Sequence, residues 1–265
     1  MCRVLLFLLV FGISGLAQAL DLRVALGVQD VLVSQRVGAS KHEVQGGGLA
    51  AFNEDLAREI CRRMSARCII SNLEFSDILP GIEGQKFELG FGNFLRTPAR
   101  EERVGFSDSI WRSSSRLIAL PVTAQRFVAK QGRDVGLVSL RDARIVAIAD
   151  SQQLLYLKTL AAENRLTLVA AKTMAEIVGL LRADKADFCL LPVLSAYALI
   201  GREATGQFEF FGPAEARHGL GGTVHIALPK ADETLRLAVN KAIAALRADG
   251  SYHRIVRRYF PFSLD

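Results

Sequence analysis

Residues 52–111 alternate between two hydrophobic periodicities, and that alternation restricts the chain to folds that layer helices on a largely parallel sheet. Phe52, Leu56, Ala57, Ile60, Cys61 and Met64 recur at helical spacing, so one face of that segment is apolar. Residues 68–75 read as a strand. The next helix has Ser76 placed to cap its start and Gly84 its end. Pro80 would be its fourth residue, where the ring removes at most one intrahelical bond. Residues 87–92 read as another strand, and 93–100 as a loop entering a helix, with Thr97 at the N-cap and Pro98 at the first helical position.

That last turn carries the first chemical signal. A helix start presents unpaired N–H groups and a partial positive charge. Arg100 adds a permanent cation whose fork can grip a carboxylate through two bonds. Spacing alone favours a plainer reading, a solvated first-turn arginine paired with Glu101 or a neighbour.

The rest of the chain repeats the rhythm. Strands are expected at 22–26, 116–120, 144–149, 167–171, 186–191 and 223–228. Asp150, Ser151, Gln152 and Gln153 open a helix with Leu154, Leu157 and Ala161 on one side, and Thr173 with Glu176 spells a capping box for a helix through Leu181. Pro192 should end its strand, Asp232 cap a helix reaching Gly250, and 252–259 form a short terminal helix. Residues 27–48 give few signals beyond the flexible triplet at 46–48. The pattern implies an α/β chain with two lobes.

Composition narrows the function. Half of the 265 residues are apolar and the formal charge is +6, without a basic run interleaved with aromatics, so a nucleic-acid partner is not expected. His42, His218, His225 and His253 lack metal-binding spacing, and no nucleophile elbow, phosphate loop or zinc motif is present, so neither a metal nor a cofactor is expected. Residues 1–19 read as a signal peptide, with Arg3, an apolar core at 4–10 and the small-residue site Ala17-Gln18-Ala19. The mature protein should begin near Leu20 and be exported and soluble.

Three cysteines then remain, an odd number. Cys189 lies in an apolar run and reads as an inert buried thiol. Cys61 and Cys68 would sit about 10 Å apart along one continuous helix, beyond disulfide reach. They can meet if the helix ends near Ser65 and the chain doubles back.

The chain resembles the family-3 periplasmic solute-binding proteins, the polar amino-acid receptors of ABC importers. The matching motifs are Ala51-Phe52-Asn53-Glu54-Asp55-Leu56, Ile78-Leu79-Pro80, Lys86-Phe87-Glu88, the turn from Leu95 to Arg100, and Phe106-Ser107-Asp108-Ser109-Ile110-Trp111. The closing segment, 246–262, is also close to the family's usual finish, and no further domain is expected after it. The resemblance implies a type II periplasmic-binding-protein fold, with a hinge and a ligand cleft between two α/β lobes. It places 20–115 and 220–265 in lobe one and 116–219 in lobe two, with crossings near Ser113 and at 219–222. It also implies a Cys61–Cys68 disulfide, a monomer and a membrane permease as partner.

By the same resemblance Arg100 holds the ligand's α-carboxylate, and Leu95, Ser151 and Gln152 occupy positions that help to hold it. Asn93, Phe94 and Thr97 share the loop, Asp150 occupies the lobe-two turn, and Phe75 flanks the ligand. Trp111 reads as packing. Pro192 stands where the family has an Asp for the ammonium, and Leu95 where it has a hydroxyl. The family's lid aromatic does not stand at 29–33, so the lid is missing or comes from elsewhere. These departures imply a ligand with a carboxylate but without a conventionally bound amino group. Two alternatives remain: a cyclohexadienyl-dehydratase-like enzyme, marked by a cleft acid such as Asp150 or Glu88, or a receptor-like protein with a protein partner, marked by a wholly apolar cleft.

Overall fold

The computed structural model describes residues 20–27, 49–202, 207–261 and 263–264. The expected leader, the triplet at 46–48, the lid position and His42 lie outside them.

In chain order the first half runs β1 (Leu20–Gly27), α1 (Leu49–Arg63), β2 (Ala66–Leu73), α2 (Phe75–Glu83), β3 (Leu89–Leu95), α3 (Pro98–Glu101), β4 (Gly105–Phe106) and β5 (Trp111–Ser113). Then come β6 (Ser115–Ala119), α4 (Pro121–Gln131), β7 (Arg144–Ile148), α5 (Gln152–Asn164), β8 (Thr167–Ala171), α6 (Met174–Arg182) and β9 (Phe188–Pro192). The chain closes with α7 (Val193–Arg202), β10 (Glu209–Glu215), β11 (Gly222–Leu228), α8 (Glu233–Ala248) and α9 (Ser251–Tyr259).

The apolar stripe of α1 is buried as its spacing requires: Phe52, Leu56, Ala57, Ile60 and Cys61 face the core. Ser65 takes a left-handed conformation (φ 53°), the chain doubles back into β2, and Cys61 and Cys68 are joined with their Cα atoms 5.9 Å apart. The next boundary differs from expectation. The ladder between β1 and β2 ends at the pair Gly27↔Leu73, so Phe75 opens α2 instead of ending the strand. Glu74, not Ser76, is the N-cap, and Pro80 is the sixth helical residue. Its ring deletes one donor, yet the helix closes through Gly84 N–H to Pro80 O (2.9 Å) and Lys86 N–H to Gly81 O (2.9 Å). Gly84 is the C-cap, while Gln85 supplies the left-handed turn (φ 56°).

The expected loop at 93–95 is also strand. β11, from late in the chain, pairs antiparallel with β3 through Val224↔Leu95 and His225↔Phe94, and extends it past Gly92. The register shifts before Ala227↔Gly90, and Asn93 sits there at φ 55°.

The two sheets share one plan. The first runs β2-β1-β3-β11-β4, with β5 also on β11; the second, β8-β7-β9-β6-β10. In each, three parallel strands are followed by an antiparallel strand that has crossed from the other half of the chain. The sheets are therefore mixed, because each exchanged strand enters from the opposite direction. This is the two-lobed type II binding-protein fold. α4, α7 and β10 were not foreseen from the sequence.

The expected caps form locally. Ser151 Oγ accepts from Leu154 N (3.2 Å), Thr173 Oγ1 from Glu176 N (3.2 Å) and Asp232 Oδ1 from Leu235 N (2.9 Å). Glu176 completes its box one residue early, accepting from the Lys172 N–H at 2.8 Å. Trp111 packs on Phe52 with ring centroids 5.4 Å apart. Cys189 is fully buried, and burial pushes its thiol pKa up. α7 touches both halves: Ala196 and Leu199 join the core of the second sheet, and Leu194 that of the first.

The chain passes between the sheets at Ser113 to Ser115 and again from Ala216 to Gly222. Gly221 has no room for a side chain, since a Cβ there would lie 2.6 Å from Ala216 Cα and 2.8 Å from Ser113 O.

The disulfide closes a short loop, and on the chain-entropy model it contributes about 2.5 kcal/mol. Replacing Cys61 and Cys68 together by Ala should lower the stability read from urea denaturation by that amount without changing the far-UV circular dichroism.

Candidate functional site

The cavity lies where the carboxyl ends of the parallel strands of both sheets face each other, the general ligand position of open α/β sheets. From the first half of the chain it is lined by Phe75, Gly92, Asn93, Leu95, Arg100 and Ser113. From the second sheet come Ile148 at the end of β7, Ser151, Gln152 and Gln153 just after it, and Lys172 and Met174 after β8. Leu190, Leu191 and Pro192 of β9 and Ser195 of α7 complete the wall.

Arg100 is the centre of this arrangement. Its side chain is buried, with 8% of the residue exposed. Nη1 donates to Leu95 O at 2.9 Å, and the guanidinium carbon lies 5.3 Å from the Phe94 ring centroid and 5.9 Å from that of Phe75. The two rings pack on each other at 5.1 Å. The expected pairing with Glu101 is absent; that carboxylate takes Arg96 instead. No carboxylate pairs with Arg100 among the described residues, and burial pushes its pKa down to about 10. At neutral pH it is a desolvated cation, held in place, with donors to spare.

Each neighbour has a local reason for its position. The ring of Phe94 sits over Gly92, where a Cβ would lie 2.3 Å from its Cζ, so only glycine leaves the ring its space. Asn93, held at positive φ in the bulge, accepts a long bond from Asn53 Nδ2 (3.4 Å) on α1. Gln153 is buried and donates through Nε2 to Ser115 Oγ (2.9 Å), which donates to Leu220 O (2.6 Å). One lining residue is thereby tied to both chain crossings.

Of the residues singled out from the sequence, Phe75, Asn93, Leu95, Arg100, Ser151, Gln152 and Pro192 line the cavity together. Three do not. Phe94 is fully buried behind Arg100. Thr97 has a buried Oγ1 without a partner among the described residues and does not line the cavity. Asp150 occupies a left-handed turn (φ 57°) and is exposed to solvent. Glu88, the other candidate acid, is held by Arg23 through its backbone N–H (2.6 Å) and guanidinium. Gln153, the last residue of the expected turn at 150–153, lines the cavity as well, while Lys172, Met174 and Ser195 were missed. Lys172 directly follows a strand, and the carboxyl-end rule points to it; Ser195 lies on a helix the sequence did not signal.

Residues 40–262 match the bacterial extracellular solute-binding proteins, family 3. The chain belongs to that family. Members of this family are binding proteins, and the chain is one too, not an enzyme. It is 27% identical over 222 residues to the histidine-binding periplasmic protein of Salmonella typhimurium, covering 82% of each chain. It is 26% identical over 222 residues to the lysine/arginine/ornithine-binding periplasmic protein of Escherichia coli, again with 82% of each covered. Its fold matches an ancestral arginine-binding protein solved with arginine, at a TM-score of 0.73 and 18% identity, over 91% of this chain and 98% of that one.

The family-3 cleft here depends on a ring that glycine admits. Gly92→Ala should displace Phe94, and with it the stacking under Arg100, at a cost of about 1–3 kcal/mol. Urea denaturation measures the loss, and a Phe94→Leu change in the same chain should restore part of it.

Proposed function

We propose that this solute-binding protein is the periplasmic receptor of an ABC importer, delivering an amino acid or a related small carboxylate bound between its lobes. The observation that carries this reading is the buried, uncompensated Arg100 in the cavity wall. A ligand carboxylate would supply the missing counter-charge, with the Asn93, Ser151, Gln152 and Gln153 side chains close by. The names of the relatives support the amino-acid class and the periplasm. Export would use the leader at 1–19, removed to leave Leu20 as the first residue. Lobe one would comprise 20–115 and 220–265 and lobe two 116–219, acting as a monomer toward the permease. A ligand touching both lobes favours the closed arrangement, the form the importer would read.

Pro192 and Leu95 face the cavity where the family motif would supply an acid and a hydroxyl, and no carboxylate lines it among the described residues. An ammonium would therefore lack an anionic partner there, at a cost of several kcal/mol if desolvated. The two alternatives lose their support. The candidate cleft acids, Asp150 and Glu88, are outside the cavity, and its polar side chains are not those of a purely apolar protein-docking groove.

The test is thermal and chemical denaturation of the mature chain with each amino acid and its deaminated acid. A ligand at about a hundred times its Kd should stabilise by about 2.7 kcal/mol. Arg100→Met should abolish that gain while leaving the ligand-free protein at least as stable as the parent, because the substitution removes an uncompensated buried charge. A full ligand response in Arg100→Met would refute the assignment.

A further inference from the structure

The charges around the cavity specify the ligand more closely. Resting on the receptor assignment, we infer that the ligand is a small acid with two anionic groups, a dicarboxylate, gripped at one end by Arg100 and at the other by Lys172. The two cations belong to opposite sheets. Arg100 stands on α3, beyond the carboxyl end of β3, and Lys172 immediately follows β8. The Lys172 side chain is exposed and has no ion pair among the described residues. Glu176, whose carboxylate accepts the Lys172 backbone N–H at 2.8 Å, does not line the cavity.

Backbone electrostatics act in the same direction. Ser151, Gln152 and Gln153 form the start of α5, and Met174 begins α6, so two helices of lobe two direct the positive ends of their dipoles at the cavity. Arg100 is the independent observation that gives these ends significance, a cation more than nine-tenths buried with no counter-charge among the described residues. Two cations, two helix starts and no lining carboxylate make a cleft of one sign. A cationic side chain, such as those in the name of the lysine/arginine/ornithine relative, would meet repulsion with nothing to offset it. A diacid neutralises both lobes at once, so its second carboxylate favours the closed arrangement that a monoacid reaches with only one.

Isothermal titration calorimetry on the mature chain tests this with matched ligands. Succinate and glutarate are set against butyrate and valerate, aspartate and glutamate against asparagine and glutamine, and lysine and arginine complete the panel. At least one diacid should bind about tenfold or more tighter than its singly charged partner, the equivalent of one ion pair across the cleft. Lys172→Gln should erase that preference, lowering the affinity for the diacid about tenfold more than that for the monoacid or amide. Equal affinity for a diacid and its singly charged partner, with binding still dependent on Arg100, would overturn the diacid inference and leave the receptor reading standing. Tight binding of lysine or arginine would likewise overturn it. Failure of every compound to bind a folded chain would overturn both.

Discussion

β11 pairs antiparallel with β3 in one sheet, and β6 pairs antiparallel with β9 in the other. Each of these strands has just left the opposite half of the chain, so each sheet is completed by an exchanged strand, and this exchange stitches the lobes at two crossings that run side by side, with Ser113 opposite Gly222. The stitch sets the distance between the lobes at the crossings, where Gly221 lies against Ala216 and Ser113 too closely for any side chain. It also sets the site. The pairing of β11 holds Phe94 and Leu95 in extended backbone and leaves Asn93 in a bulge, which brings the Leu95 carbonyl to Arg100.

Arg100 illustrates how a fold can hold a desolvated charge in a cavity wall. Burial makes the isolated cation unfavourable, and two aromatic rings with one carbonyl only partly offset this. The interactions that orient the guanidinium do not neutralise it. A carboxylate entering the cavity would do so with little reorganisation, because the fork is already fixed. The ion pairs elsewhere are mostly exposed and contribute little individually. Asp187 is an exception, buried and held by Arg144 and Arg126, with a pKa lowered despite its burial by those guanidinium partners.

Gln153 connects the site to the stitch. It lines the cavity, and through Ser115 it reaches Leu220, so one side chain after β7 joins both crossings to the cavity wall. Leu194 adds a second connection by carrying α7 into the core of the first lobe.

The sequence by itself determined whatever depends on neighbours along the chain. The stripe on α1, the caps at Ser151, Thr173 and Asp232, Pro98 at a helix start and the alternation of strands and helices are all local. So was the motif that carries Arg100, although spacing alone could not separate a buried cation from a solvated one paired with Glu101. Tertiary structure decided the rest, because it depended on partners distant in sequence. β11 turned the expected loop at 93–95 into strand, and the end of the β1–β2 ladder moved Phe75 into a helix. The second sheet placed Lys172 in the cavity and left Asp150 in solvent. Charge in a cleft is a sum over segments that meet only after folding, so its sign had to come from the assembled lobes.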